Sequence, residues 1–338
     1  MFLPSFGNKL RLPDGVLNVV HGDGKTGSIL MDQVNHGKIQ KVSFTGSTRV
    51  GKLIGEICGK NLQTPSLELG GKNPLVVMDD ANLDLALEGA LWASFGTAGQ
   101  RCTSAGNIIL HQKIAKEFTE KFVQKASNVK IGNSYKDQTV LYGPMIDEHY
   151  LTHFLEHFES AKKDGAELLY GKGRITPDSK PSNFSGDPTS GYYVWPTIWG
   201  NVKINQWIAQ NEVFGPAVGL IEVGSIEEAI DVANGTPYGL SSAIYTNNRM
   251  NAYLFKTNIQ SGMCSINNST TGAEAHLPFG GMKASGNGTR ESGVWVVDAY
   301  TQWQAVNDEL SGKLQLAQMD TEFVTESHQD INLGDLVR

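Results

Sequence analysis

Strand-length apolar runs alternate with helical patterns along most of this chain of 338 residues. The segments NPLVVMDD, AVGLIEV, SSAIYT and GMCSIN are typical of buried strands. Between such runs, residues 82–95 repeat apolar side chains at helical spacing, and SIEEAIDVANG predicts a helix that Ser225 begins and Gly235 ends. This alternation indicates an α/β fold with mostly parallel strands, and the length allows two domains or one large one.

Charge and cysteine content narrow the classes of function. A net charge of -7 without a basic stripe argues against a nucleic-acid partner, and the longest apolar runs are too short to cross a membrane. The first residues make a poor signal peptide. Cys58, Cys102 and Cys264 lie too far apart for a metal motif or a disulfide framework. We therefore expect a cytoplasmic protein without a metal site.

Cys102 lies in the small-residue segment GTAGQRCTSAG. A lone cysteine is more often a small buried residue than a nucleophile. Gly96, Gly99 and Gly106 favour the second interpretation, because they let the backbone approach a ligand closely. Arg101 would favour the thiolate and attract an acidic substrate if it faced the sulfur. A structural or surface arginine is an equally good interpretation of Arg101.

Glu68 interrupts the apolar stretch of PSLELGGKNP. It either faces solvent on an alternating strand, with Leu67 and Leu69 inside, or lies in a functional cleft. Gly70 and Gly71 favour the cleft, because a plain surface strand has no need of close backbone approach. A partly desolvated glutamate there would act as a general base near neutral pH.

Two further segments suit a nucleotide. In SFTGSTRVG, Gly46 and Ser47 stand between a strand and a helix N-terminus, where free N–H groups would bind a pyrophosphate. In NEVFGPA, Glu212 would bond ribose hydroxyls and Phe214 would pack on a flat heterocycle. Taken singly, each segment is also compatible with an ordinary junction or turn of an α/β protein.

Together, SFTGSTRVG, LELGGKNP, GQRC, EVFGP and PFGGMKASG resemble the NAD(P)-dependent aldehyde dehydrogenase superfamily in order and spacing. The resemblance covers residues 12–313. It implies a Rossmann-like cofactor domain, of which this chain has only part, an α/β catalytic domain with a parallel sheet, and an oligomerisation strand. It also implies oxidation of a small aldehyde to a carboxylic acid with NAD or NADP, in a homodimer or homotetramer.

The resemblance also implies roles for individual residues. Cys102 matches the nucleophile that forms a thiohemiacetal and then a thioester, and Glu68 matches the base that activates water. Glu291 matches a second acid that relays protons, and residues 269–276 match a loop that closes the substrate tunnel. The residues that match cofactor contacts are Gly46, Ser47, Val50, Leu69, Glu212 and Phe214.

The resemblance further implies the domain boundaries and a departure from the family. The expected parts are residues 1–70 for the remaining cofactor domain, 71–284 for the catalytic domain, 285–300 for a return to the cofactor domain, 301–316 for the oligomerisation strand and 317–338 for a tail. Family members carry a large N-terminal region, so we expect this chain to lack the first cofactor-domain strands and an asparagine that donates to the oxyanion.

Three functional hypotheses follow. The chain is a truncated form of a working enzyme, or a catalytically impaired remnant that acts as a binding or assembly protein. A third hypothesis is acyl transfer to coenzyme A. Glu68 argues against the third, because that route has no use for a base that activates water.

Overall fold

The computed structural model describes residues 13–308, 310 and 312. The strands within these residues are β1 (Ser43–Thr45), β2 (Ser66–Glu68), β3 (Asn73–Val77), β4 (Ala105–His111), β5 (Glu167–Tyr170), β6 (Thr197–Gly200), β7 (Ala217–Val223), β8 (Tyr238–Gly239), β9 (Ser241–Tyr245), β10 (Met263–Ile266) and β11 (Met282–Lys283). The α-helices are α1 (Gly24–Asn35), α2 (Thr48–Lys60), α3 (Leu83–Phe95), α4 (Gln112–Ser127), α5 (Glu148–Lys163), α6 (Trp207–Gln210), α7 (Ile226–Asn234), α8 (Arg249–Asn258) and α9 (Trp295–Tyr300).

A seven-stranded sheet forms the centre of the chain, in the order β10-β9-β3-β4-β7-β6-β5. Its neighbouring strands run parallel, except for β5 and β6, which are antiparallel. Every residue of β3, β4 and β9 is buried, as expected for parallel strands covered on both faces. The predicted α/β fold is confirmed.

Local sequence signals account for the helices that flank this sheet. Asn82 caps α3 by accepting a hydrogen bond from the Leu85 N–H, and Ser225 caps α7 in the same way from the Glu228 N–H. Gly235 ends α7, as predicted. The rings of Phe118 and Phe122 on α4 pack 5.6 Å apart in the main core. This core supports the loops that carry Cys102 and Glu212.

A second, smaller sheet lies at the cofactor side of the predicted site. Strands β1 and β2 pair in parallel over three residues each, and α1 and α2 pack beside them. Their apolar cluster is separate from the main core and contains Val34, Ile54, Cys58, Leu67 and Leu69. Residues 69–72 join β2 to β3 of the large sheet. The LELGG segment therefore crosses from the small sheet to the large one.

The chain divides into a compact unit that ends at Tyr300 and a second unit that begins at Thr301. Residues 301–308 contain no helix or strand within the single chain, so the oligomerisation strand stays a prediction. The predicted tail, residues 317–338, lies outside the described residues. In the described part of the chain, we find no helix with the length and apolarity needed to cross a bilayer.

Candidate active site

The loop before Cys102 has an unusual backbone. After α3 ends, a 3₁₀ turn covers residues 96–99, and Thr97, Ala98 and Gly99 all have positive φ angles of 54, 56 and 63°. Such left-handed residues outside glycine cost free energy and persist where the surrounding structure requires them. A Cβ on Gly99 would lie 2.2 Å from the Gly215 carbonyl oxygen, so this loop packs directly on the EVFGP segment.

Asn73 fixes the backbone of the nucleophile loop. Its amide nitrogen donates to the carbonyl oxygens of Cys102 and Ser104, at 2.8 Å each. Its side-chain oxygen accepts from the Ser241 N–H at 2.9 Å. One side chain at the start of β3 therefore orients the loop that carries the thiol.

The Cys102 thiol is half-buried and lies among acidic groups. Burial is the largest cause of a raised thiol pKa, and the charges of Glu212 and Glu68 raise that pKa further. The backbone N–H groups of Cys102 and Thr103 oppose that rise, because they stabilise a negative sulfur. The Arg101 guanidinium stacks on Trp92, with its central carbon 4.6 Å from the ring centroid, which favours the structural interpretation of this arginine over thiolate activation.

Glu68 is buried at the end of β2, with 5% of its surface exposed, so the solvent-facing interpretation is wrong. Burial raises its pKa to about 8, and the charge of Glu291 raises it while Arg290 lowers it. Neither carboxylate oxygen has a hydrogen-bond partner among the described residues. The alternation rule failed because both faces of this short strand are covered.

Glu212 contacts the glycine pair that follows Glu68. The Gly71 N–H donates to its Oε1 at 3.1 Å, and a Cβ on Gly70 would lie 2.2 Å from its Oε2. Burial raises the pKa of Glu212 to about 7, whereas the Gly71 N–H and the Lys72 charge lower it. The structure therefore joins the LELGG and EVFGP segments, which are far apart in the sequence.

No sequence pattern pointed to Tyr150, and only a weak one pointed to Lys72. The Phe214 backbone has a positive φ of 50°, and the Tyr150 ring lies 5.8 Å from the Phe214 ring. Lys72 is 2% exposed, and its Nζ has no hydrogen-bond partner in the described structure. Burial lowers its pKa to about 7, against the opposing charge of Glu212. A lysine inside the buried LELGGK stretch was the only available clue.

Glu291 lies close enough to Glu68 for its charge to act on that carboxyl group. Its backbone pairs with that of Phe279 through two 2.7 Å hydrogen bonds, and its Oε1 accepts from the Ser43 hydroxyl at 3.1 Å. Ser43 belongs to β1, so Glu291 connects the TRESG segment to the small sheet. Its charge is the second largest cause of the raised Glu68 pKa.

The predicted pyrophosphate turn is connected to Glu68. The Gly46 N–H donates to the Glu68 carbonyl at 3.0 Å, and the Ser47 hydroxyl caps α2 by accepting from the Val50 N–H. Val50 lines a largely apolar cleft of about 730 Å³ between α1 and α2. The Leu69 side chain packs inside the small apolar cluster, so a cofactor contact by that side chain is not supported.

The predicted tunnel loop begins beside the residue that follows Cys102. The Thr270 hydroxyl donates to the Thr103 carbonyl at 2.8 Å, and the Ser241 hydroxyl donates to the Thr270 carbonyl at 2.6 Å. Among the described residues, no group of three or more histidine, cysteine, aspartate or glutamate side chains is arranged to hold a metal ion. The site therefore consists of one thiol, buried carboxyl groups and glycine-lined backbone.

Comparisons with known proteins show the family of the chain. The model of the aldehyde dehydrogenase family matches residues 3–306. The chain is 38% identical over 295 residues to alpha-ketoglutaric semialdehyde dehydrogenase of Bacillus subtilis, covering 87% of this chain and 58% of that protein. It is also 38% identical to cytosolic aldehyde dehydrogenase 1 of Rattus norvegicus, covering 93% of this chain and 59% of the relative.

Solved structures show the same likeness. An NAD-dependent aldehyde dehydrogenase from Sinorhizobium meliloti superposes with a TM-score of 0.85 at 31% identity, covering 94% of this chain and 60% of that one. The chain thus spans about three fifths of the length of the proteins it matches. Both its sequence and its fold match across nearly all of the described residues. The chain therefore belongs to the aldehyde dehydrogenase family.

Proposed function

We propose that this protein oxidises a small aldehyde to the carboxylic acid, with NAD or NADP as the hydride acceptor and Cys102 as the nucleophile. The observation that carries the proposal is that Glu68 and Glu212 both lie close enough to Cys102 for their charges to act on its thiol. Groups with strongly shifted pKa values that share a cleft are typical of catalytic sites.

The residues on the cofactor side fit a nicotinamide dinucleotide. The cleft of about 730 Å³ beside Val50 suits a flat apolar ring system. Gly46 and Ser47 present the N-terminus of α2, which suits a pyrophosphate. Glu212 would accept hydrogen bonds from ribose hydroxyls, and the Phe214 ring would pack against the nicotinamide. The name of the Sinorhizobium meliloti neighbour supports NAD.

Cys102 would form the first covalent bond. The thiol would pass its proton to water, and the sulfur would attack the aldehyde carbon to give the oxyanion of a thiohemiacetal. The Cys102 backbone N–H, which stabilises negative charge at the sulfur, would also donate to the developing oxyanion. A bound nicotinamide would supply the hydride acceptor. Loss of a hydride from the thiohemiacetal carbon would leave a thioester on Cys102.

Glu68 would release the acid. Its carboxylate takes a proton from water, the water oxygen attacks the thioester carbon, and the carbon–sulfur bond breaks to regenerate the thiolate. Its raised pKa, about 8, makes Glu68 a stronger base than an exposed glutamate. Glu291 acts on Glu68 through its charge, which supports a role as the second acid that passes the proton on.

Ester hydrolysis tests this proposal without the cofactor, and absorbance of the reduced cofactor tests it with a panel of aldehydes. Cys102→Ala should lower hydrolysis of p-nitrophenyl acetate by about a thousandfold or more, because the nucleophile is gone. Glu68→Gln should accumulate an acetyl adduct on Cys102, visible by mass spectrometry. Cys264→Ala is the matched control and should keep wild-type rates. Undiminished hydrolysis in Cys102→Ala would overturn the mechanism.

The proposal extends to domains and assembly. Residues 1–70 would belong to a cofactor domain, 71–284 to a catalytic domain and 285–300 again to the first. Residues 301–316 would join subunits into a homodimer or homotetramer in the cytoplasm. If the folded protein showed neither esterase nor dehydrogenase turnover, a remnant that binds without catalysis would be the better description.

A further inference from the structure

Lys72 is almost completely buried, although it carries an ammonium group. The side chain is 2% exposed, and its Nζ has no hydrogen-bond partner among the described residues. Its aliphatic part lies over Gly106, since a Cβ on that glycine would be 2.5 Å from the Lys72 Cδ. Burial of an ammonium group is costly unless other polar groups compensate for the lost water, so we expect a polar neighbour at this Nζ.

A small cavity is lined by both Lys72 and Glu212. Its volume is about 20 Å³, which is enough for one water molecule. Ser104 lines the same cavity, and its hydroxyl oxygen is buried and lacks a hydrogen-bond partner within the described structure. Arg101 lines the cavity as well, but its guanidinium stacks on Trp92. Two residues with unpartnered buried polar atoms and one carboxylate therefore share a space of the size of one water.

Lys72 and Glu212 interact without touching. The charge of each acts on the ionisation of the other. The Glu212 carboxylate accepts a hydrogen bond from the Gly71 N–H at 3.1 Å, and no direct bond joins it to Lys72 in the described part of the chain. Two opposite charges that lie close together without direct contact suit a bridging water, because a buried water makes about three hydrogen bonds to such groups.

We propose that Lys72 is a positioning residue, which holds the Glu212 carboxylate in place for the ribose of the cofactor through one internal water molecule. The ammonium donates to the water oxygen, and the water donates to the carboxylate and to the Ser104 hydroxyl. Burial by itself favours the protonated form of Glu212, in which one oxygen becomes a donor. The nearby ammonium keeps both oxygens as acceptors for ribose hydroxyls. This inference rests on the proposed function, because that function assigns Glu212 to the ribose.

A crystal structure of the cofactor-free protein, at a resolution that shows ordered water, tests the bridge directly. The expected result is one water within hydrogen-bond distance of the Lys72 Nζ, the Ser104 Oγ and the Glu212 carboxylate. A dry cavity, or a direct bond between Lys72 and Glu212, would overturn the inference. The proposed function does not depend on either result.

Calorimetric titration with NAD and with AMP tests the role of the bridge without turnover. Lys72→Met keeps the length of the side chain and removes the charge, so it should weaken NAD binding by about tenfold, the scale of one charge-assisted contact. Binding of AMP, which has no nicotinamide ribose, should stay unchanged and shows that the variant is folded. Ser104→Ala removes one partner of the water and should weaken NAD binding by about threefold. Lys116→Met, at an exposed position of α4, is the matched control and should leave both affinities unchanged.

A double-mutant cycle separates this role from a packing role. In Glu212→Gln, the further change Lys72→Met should cause no additional loss of NAD affinity, because the carboxylate on which Lys72 acts is gone. An equal loss in that background would mean that Lys72 acts through packing, and the inference would be overturned. Unchanged NAD affinity in Lys72→Met, or in Ser104→Ala should the first variant fail to fold, would overturn it as well. A wild-type protein that binds no NAD would instead overturn the proposed function, and the crystal structure would still test the bridge.

Discussion

The large sheet and the small sheet support the two sides of the candidate site in different ways. In the large sheet, β3 and β4 are buried along their whole length and sit in the main core. In the small sheet, β1 has three residues, two of them exposed, and its apolar cluster is separate. Leu53 of α2 is 51% exposed beside the open cleft.

This difference has a consequence for the chemistry. The nucleophile loop is held by a dense core, so its left-handed residues and its buried polar groups can persist. The predicted cofactor side is held by fewer apolar contacts and is therefore the part with lower local stability. Glu68 belongs to both sides, because β2 carries it and the residues after it enter the large sheet.

The largest expected effect on the free energy of unfolding comes from disturbing the packing of the Cys102 loop on the main core. Gly99→Ala should lower the free energy of unfolding by about 3 kcal/mol, because the new Cβ meets a backbone oxygen in a left-handed conformation. Gly55→Ala is the control in α2, where the Cβ would be 3.7 Å from Leu67. It should stabilise the protein by about 0.5–1 kcal/mol.

Urea denaturation of both variants measures these changes. A small loss in Gly99→Ala would mean that the nucleophile loop moves away from Gly215 at little cost. In that case the contrast between a rigid and a loosely held side would not hold.

The second prediction concerns Glu68, which joins the two sides. The decay of a preformed acetyl–Cys102 adduct should rise about tenfold per pH unit up to the pKa of Glu68, which is raised to about 8. Cys102 is already acylated in this measurement, so its own titration does not contribute. Because the charge of Glu291 raises the Glu68 pKa, Glu291→Gln should move the midpoint to lower pH.

Glu222→Gln, an exposed glutamate on β7, is the control and should leave the midpoint in place. A decay rate that does not change between about pH 6 and pH 8 would mean that Glu68 is not the base in deacylation. An unchanged midpoint in Glu291→Gln would mean that the charge of Glu291 does not control the pKa of Glu68 during deacylation.

Local signals were sufficient for most of the fold. The caps at Asn82 and Ser225 act within one helical turn, so sequence spacing alone locates α3 and α7. Apolar runs likewise identified β3, β7, β9 and β10 of the large sheet, and β3 and β9 are buried along their whole length. The family motifs then supplied residue roles that no spacing argument could give.

Contacts between distant segments were not predictable in the same way. Burial of Glu68 depends on the covering of a three-residue strand by other segments, so alternation left it open. The direction of Arg101 depends on Trp92, a residue on the preceding helix that its own neighbours do not reveal. The Tyr150 contact with Phe214 joins a residue of α5 to one in the loop before β7, and no local pattern signals it.

The smallest expected effect tests whether the two sheets unfold separately. Ser47→Ala and Ser225→Ala each remove a helix N-cap, of α2 and of α7, and each should cost about 1 kcal/mol. In native-state hydrogen exchange, Ser47→Ala should speed exchange within α2 and leave α4 unchanged, because the small sheet has its own apolar cluster. Ser225→Ala should instead reduce protection in α4 as well, since α7 and α4 share the main core. Equal loss of protection in α4 for both variants would mean that the two sheets unfold as one cooperative unit, and the weaker contacts of the small sheet would then carry no separate consequence for the site.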